Sequence, residues 1–176
     1  MNAAIIVISG LPGTGKSTLA KELEKLIPNS LIIKSTQLRI TKVKNDFFNE
    51  NLAEIKLEKD RAYNKMIELA QIAIKEGKLP ILDATFHKKY RRDFINKYFS
   101  NLNTLKIHLN CPETIAKKRI SKRKFDSVDG FLNDPTSYDI MKIQSDKIEK
   151  NEEFITIDSS KLNAREAAKW IIQHLL

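Results

Sequence analysis

Gly10, Gly13, Gly15, Lys16, Ser17 and Thr18 crowd into the run G-L-P-G-T-G-K-S-T of a chain that has only 5 glycines among 176 residues. The run fits G-x-x-x-x-G-K-[ST], and the apolar stretch Ala4 to Ile8 that precedes it reads as a buried strand. Glycines at such a turn let successive backbone N–H groups, that of Thr14 among them, converge on anionic oxygens. The helix that starts at Lys16 or Ser17 adds its positive end. In a cradle of this kind Lys16 reaches the outer phosphates of a nucleotide, Ser17 offers its hydroxyl to Mg²⁺ and Thr18 is placed to bond the innermost phosphate.

Three further positions are candidates for chemistry. Asp83 closes the apolar run L-P-I-L-D, and a carboxylate at such a strand end can hold Mg²⁺ through a water or accept a proton. A strand-ending Asp can also simply cap the next helix. Arg119 and Arg123 lie four apart on one predicted helix, so they share a face from which they could stabilise a transferring phosphoryl group. Arg39 follows the second predicted strand, where it could clamp an anionic acceptor or pair with a helix carboxylate.

The elements that must carry these residues alternate. Predicted helices span Lys16 to Ile27, Phe47 to Lys75 as one helix or two, Lys89 to Phe99, Glu113 to Lys124, Tyr138 to Lys150 and Ala164 to Leu176. A break in the second is expected in its polar middle, Lys56 to Arg61, and Gly77 is expected to end it. Predicted strands after the first are Leu31 to Ile33, Leu79 to Leu82, Thr104 to Leu109 and Phe154 to Ile157. Phe125 to Pro135 reads as a loop suited to be a lid, and Trp170 as a core anchor on the last helix. Strands alternating with helices predict an α/β fold with a parallel sheet covered on both sides.

Length is that of one domain, residues 1–176. The first strand begins so early that no signal or transit peptide is expected, and no apolar run approaches a membrane span. Cys111 is the 1 cysteine of the chain and reads as a small buried residue, which suits a reducing, cytoplasmic setting. The formal net charge is +9. Lys88, Lys89, Arg91 and Arg92 form one basic cluster, and Lys117, Lys118, Arg119, Lys122, Arg123 and Lys124 another. A polyanionic partner such as nucleic acid is therefore one reading. Solvated helix faces with two or three residues touching nucleotide phosphates are the other, and the absence of interleaved aromatic residues favours it.

The loop G-L-P-G-T-G-K-S-T-L-A, the strand end L-D-A-T-F before Arg91 and Arg92, and C-P-E-T-I-A-K-K-R-I-S-K-R, followed by the helix from Tyr138, together resemble the P-loop kinase family of small ATP-dependent phosphotransferases. Within it the chain is most similar to the branch of polynucleotide 5′-hydroxyl kinases, seryl-tRNA kinases and zeta-toxin relatives. The resemblance implies a P-loop NTPase three-layer sandwich with strand order 2-3-1-4-5, and ATP with Mg²⁺ at Gly13 to Thr18. It also implies a lid at about 119–135 bearing Arg119 and Arg123, and an acceptor side that includes about 40–62. The choice of ATP over GTP rests on the resemblance.

One position departs from it: hydroxyl-phosphorylating members commonly have a general-base Asp three residues before the Arg that corresponds to Arg39, and here that position is Thr36. Either Asp83 takes the proton or the acceptor is already an anion. The resemblance thus implies a kinase acting on a hydroxyl of a small metabolite or nucleic acid. The alternatives are a phosphate acceptor, as in nucleoside monophosphate kinases, or an ATP-binding regulatory NTPase.

Overall fold

The structure is a computed structural model that describes residues 3–39, 52–123 and 133–175. The expected lid lies partly outside these residues, at 124–132, and so does the stretch 40–51 of the expected acceptor side. Five strands form one sheet: β1 (Ile5–Ser9), β2 (Ser30–Lys34), β3 (Leu79–Asp83), β4 (Thr104–Asn110) and β5 (Ile155–Asp158). Their order is β2-β3-β1-β4-β5 and every pairing is parallel. β1 is buried along its whole length, as a central strand of a sheet covered on both faces must be. The register sets Ile8 opposite Asp83 and Lys34 opposite Asp83, so the ends of β1, β2 and β3 open at one rim.

Helices cover both faces. On one side α1 (Lys16–Leu26) and α6 (Ala164–Leu175) pack Leu19, Leu23, Ala168 and Ile171 against Ile6, Ile8 and Ile107. On the other, α2 (Leu52–Lys75) and α3 (Lys89–Phe99) pack Tyr63, Met66, Ile95 and Phe99 against Ile5, Val7 and Leu82. The shorter α4 (Glu113–Ser121) and α5 (Thr136–Ile143) form a satellite core around Cys111, Ala116, Ile120 and Tyr138. Cys111 is a buried free thiol.

α2 runs unbroken through Lys56 to Arg61, contrary to the expected break. Its polar middle holds strong helix formers and no Gly or Pro, so polarity there marks a solvent and cavity face, not an interruption. Gly77, at φ 72°, ends it as expected. Its N–H bonds Ile74 O at 3.0 Å and the Lys78 N–H bonds Ala73 O at 2.9 Å, which satisfies two of the last carbonyls.

α5 stops at Ile143 where the spacing predicts a helix to Lys150. Long-range bonds replace the helical ones there: the Asp146 N–H donates to His87 O at 2.8 Å, and Arg92 donates to the carbonyls of Asp146 and Lys147. Trp170, expected in the core, is 39% exposed and stacks on His174. The buried face of α6 is instead the narrower stripe Ala167, Ala168 and Ile171.

Arg91 and Arg92 are not on a solvated face either. Both are buried, Arg91 on Asp60 and Arg92 on Glu152. Lys88, Lys89 and Lys117 each pair with carboxylates as well. Among the described residues no helix is long and apolar enough to cross a membrane.

Candidate active site

The rim where β1, β2 and β3 end carries a cavity of about 380 Å³ lined by Lys16, Ser17, Thr18, Thr36, Arg39, Asp83 and Arg123, among others. Chain segments far apart in sequence thus bring together most of the residues singled out by type and spacing. Thr18 is exposed and Ser17 half-buried where the start of α1 forms one wall.

The cradle beside it is built from backbone. Gly10, Gly13 and Gly15 have φ of 143°, 79° and 93°. A Cβ at Gly10 would come within 2.5 Å of Leu109 O, and one at Gly13 would collide with the Ala116 carbonyl, so both positions require glycine. Gly15 stands at the start of α1, where no side chain caps the helix and no acidic residue lies in the first turn. The Thr18 N–H bonds Gly15 O at 3.1 Å, and the helix start before it, with neither cap nor carboxylate of its own, is a positive end suited to an anion. Thr14 is buried, and its hydroxyl is committed to Leu11 O at 2.8 Å, so it shapes the loop.

Lys16 Nζ donates to the same carbonyl at 2.9 Å. Burial pushes its ammonium down to about 8; Asp83 opposes that shift, while Arg123 and Lys34 add to it. Asp83 is 3% exposed, and its Oδ2 has no hydrogen-bond partner among the described residues. Thr36 Oγ1 is likewise buried without a partner. Two unsatisfied oxygens at one rim mark a place prepared for something else, since buried polar atoms are otherwise paired.

Behind Asp83 the chain turns sharply. Phe86 takes φ 47°, a strained value for a bulky side chain, and its N–H is held by Tyr63 Oη at 3.1 Å. The turn lays Thr85 and His87 on the cavity wall, with Thr85 Oγ1 and His87 Nδ1 at 3.0 Å. Burial, with Arg91 and Lys59 nearby, holds His87 as low as about 3, a neutral imidazole.

The two arginines of α4 and its exit are separated by function of place. Arg123 lines the cavity. Arg119 donates to Ser159 Oγ at 2.9 Å, to Ser159 O at 2.8 Å and, at 3.5 Å, to Gly13 O, so it ties the glycine loop to the turn after β5.

Sequence spacing did not single out Lys34, Lys59, Tyr63, His87 or Asn133, which also line the cavity, as does Arg91 of the basic cluster. Lys59 and Tyr63 sit four apart on α2 and so share a face, which was the one local signal available. Arg91 reaches the wall through Asp60, bonding its Oδ1 from Nε at 3.2 Å and from Nη2 at 2.8 Å, with its guanidinium 4.6 Å from the Tyr63 ring centre.

A parallel sheet in the order 2-3-1-4-5, a glycine cradle between β1 and α1, and a buried carboxylate ending the neighbouring strand define a nucleotide-binding P-loop fold of the kinase type. Residues 5–141 match the model of the AAA_33 family, described as an AAA domain, and the chain belongs to that family.

Solved structures agree on the fold. A sugar kinase from Janibacter sp., solved without ligand, superposes with a TM-score of 0.70 at 16% identity, covering 98% of this chain and 94% of its own. The Mycobacterium tuberculosis APS kinase CysC in complex with AMPPNP and APS gives 0.67 at 16% identity, over 98% and 96%. Chaetomium thermophilum Kti12 in complex with ADP-AlF3 gives 0.68 at 15% identity, over 98% and 99%. No curated protein sequence matches the chain.

Proposed function

We propose that this protein is an ATP-dependent kinase that transfers the γ-phosphate of Mg·ATP to an acceptor hydroxyl. The observation that carries the reading is one cavity holding Lys16 and Ser17 on its cradle side, Thr36 and Arg39 from the short 3-10 turn that follows β2, and Asp83, whose Oδ2 has no partner among the described residues. The adenine nucleotides bound by the APS kinase and Kti12 relatives support ATP as donor.

The donor set fits Mg²⁺. That ion takes one or two protein oxygens and completes its shell with phosphate oxygens and water. Ser17 and Asp83 supply such a pair. Among the described residues no group of three or more His, Cys, Asp or Glu forms an all-protein metal site. When bound, the ion would neutralise charge on the phosphates.

In the transfer the acceptor oxygen bonds the γ-phosphorus, the bond from that phosphorus to the bridging oxygen breaks, and ADP leaves. Lys16 follows the outer phosphates, and Arg123 meets the charge spread over the equatorial oxygens. Arg119 acts on the loop rather than on the phosphoryl group, because its guanidinium is spent on Gly13 and Ser159. Asp83 is the one carboxylate among the described residues that line the cavity, and it would receive the hydroxyl proton. Positioning and fixed charge supply most of the rate, so a side chain such as Thr36 in place of a dedicated base is tolerable.

Thr36 and the many cations of the cavity also suit a second reading, in which a phosphate is itself the acceptor. Transfer of γ-labelled phosphate from Mg·ATP separates the two. Label is expected on a hydroxyl when 5′-hydroxyl oligonucleotides, nucleoside monophosphates and a metabolite extract are offered in parallel. Label on a monophosphate would move the assignment to the second reading. Release of free phosphate alone, with no acceptor labelled, would overturn both in favour of a regulatory NTPase.

A further inference from the structure

His87 is buried and titratable, and the phosphoryl transfer makes no use of it. Its place is set by the turn after β3, where Phe86 takes φ 47° and its N–H donates to Tyr63 Oη at 3.1 Å. Backbone strain persists only where the surroundings over-determine it, and it gathers at functional sites. What this strained turn produces is the pair Thr85 and His87 on the cavity wall, with Oγ1 and Nδ1 3.0 Å apart.

The protons of this row follow from its ends. The Phe86 N–H can only donate, so Tyr63 Oη accepts from it. That bond, with the Arg91 guanidinium 4.6 Å from the ring centre, makes the phenol a better donor toward Thr85 Oγ1, at 3.4 Å. Of the two partners of Thr85, the imidazole nitrogen is the closer and the stronger acceptor, so the threonine O–H donates to His87 Nδ1 and its oxygen accepts from Tyr63. The neutral ring then carries its one proton on Nε2. That atom has no hydrogen-bond partner among the described residues, nor is it one of the unpartnered atoms shut off from open space.

We infer that His87 sets acceptor specificity: its Nε2–H donates to a second, non-reacting oxygen of a small polyhydroxylated acceptor with neighbouring hydroxyls. The inference deepens the kinase reading and rests on it, since it names the class of acceptor at the same site. An uncharged donor fixed in direction selects for an oxygen lone pair at one place, which is how a site tells a hydroxylated substrate from an analogue lacking the hydroxyl. The buried Thr36 hydroxyl, also without a partner among the described residues, lines the same cavity and can hold a further oxygen. A space of about 380 Å³ suits a small molecule, and one with several hydroxyls satisfies both groups while presenting another to Asp83. His87 keeps its proton throughout, and that of the reacting hydroxyl goes to Asp83. Thr85 and His87 also border a second cavity, of about 430 Å³, which His108 lines and Asp83 does not.

The test reads the ring and the transfer separately. In protein labelled with ¹⁵N-histidine, two-bond ¹H–¹⁵N correlations at pH 7 are expected to show His87 protonated at Nε2 alone. A proton on Nδ1 overturns the inference. Transfer of γ-labelled phosphate from Mg·ATP into a metabolite extract is followed over a dilution series, with Mg·AMPPNP affinity measured beside it. His87→Leu is expected to lower labelling at limiting extract about tenfold or more while Mg·AMPPNP affinity is kept. His87→Gln, whose amide N–H stands near the place of Nε2, should recover most of that loss. His108→Gln, confined to the second cavity, should label as the parent does. Periodate, which cleaves neighbouring hydroxyls, should remove the acceptor from the extract.

Labelling indifferent to His87→Leu, equal losses in His87→Leu and His87→Gln, a matching loss in His108→Gln, or labelling that survives periodate each overturns the inference while leaving the kinase reading in place. No label from the parent protein into any acceptor strikes the kinase reading itself, and the inference falls with it.

Discussion

The roles proposed for Lys16 and Asp83 carry an energetic signature that separates them from structural residues. Burial lowers Lys16 to about 8, so the folded chain holds this charge at a cost that Asp83 offsets in part and an anionic ligand would offset further. Lys16→Met should therefore abolish nucleotide turnover and leave the urea midpoint equal to or above that of the parent protein. A midpoint that fell with the activity would instead make Lys16 a structural residue. Asp83 makes no described hydrogen bond through Oδ2, and the packing around it is apolar strand. Asp83→Asn keeps the volume and removes the charge. It should lower turnover by about 10²-fold or more while retaining nucleotide binding, with the Mg²⁺ requirement shifted to higher concentration. Titration of activity against Mg²⁺ in both proteins checks this. A variant with parental turnover would confine Asp83 to its place in the strand.

At the scale of elements, the site depends on one tie more than on any helix. Arg92, on α3, spends its guanidinium on Glu152 Oε1 and Oε2, on Phe86 O and on the carbonyls of Asp146 and Lys147. It thereby fastens the strained turn after β3 to the connection between α5 and β5. Glu152 closes the arrangement by accepting the Glu149 N–H and bonding Arg92, with both ionic side chains almost fully buried. Removing one partner of such a pair leaves a buried charge alone, which costs about 3–5 kcal/mol. Glu152→Ala should lose about that much unfolding free energy in urea. On the kinase reading proposed above it should also weaken acceptor phosphorylation more than nucleotide binding, because Thr85 and His87, which line the cavity, flank Phe86. A loss below about 1 kcal/mol would show that the connection is held by its backbone bonds alone.

Across the whole molecule, what the sequence made legible was what local chemistry dictates. The glycine cradle, the Gly77 stop and the alternation of buried strands with helices each have a signature within a few residues, and each stands where expected. What it concealed depends on distant partners. The turn that ends α5 early, the burial of Arg91 and Arg92 and the gathering of Lys59, His87 and Arg91 at one wall are set by contacts more than twenty residues apart.

The same burial predicts how the molecule responds to acid. His108 lies against Ser9 Oγ and the Phe154 ring, and burial lowers it to about 4, as it lowers His87 to about 3. In the unfolded chain both titrate near 6.5. Between that value and about 4 the unfolded state binds more protons than the folded one, so stability rises with pH and is lost as pH falls through this window. Glu113, lowered to about 2 by Lys117 and Lys142, acts only further down, as the carboxylates of the unfolded chain begin to protonate. The step from pH 7 to pH 5 therefore reports the histidines. Allowing for their partial access to water, the protein should lose about 2 kcal/mol of unfolding free energy over that step. His108→Gln should lose about half as much, whatever its stability at pH 7. An equal pH slope in the two proteins would show that His108 is protonated in the folded state at pH 5, and that the sheet face around Ser9 admits the charge.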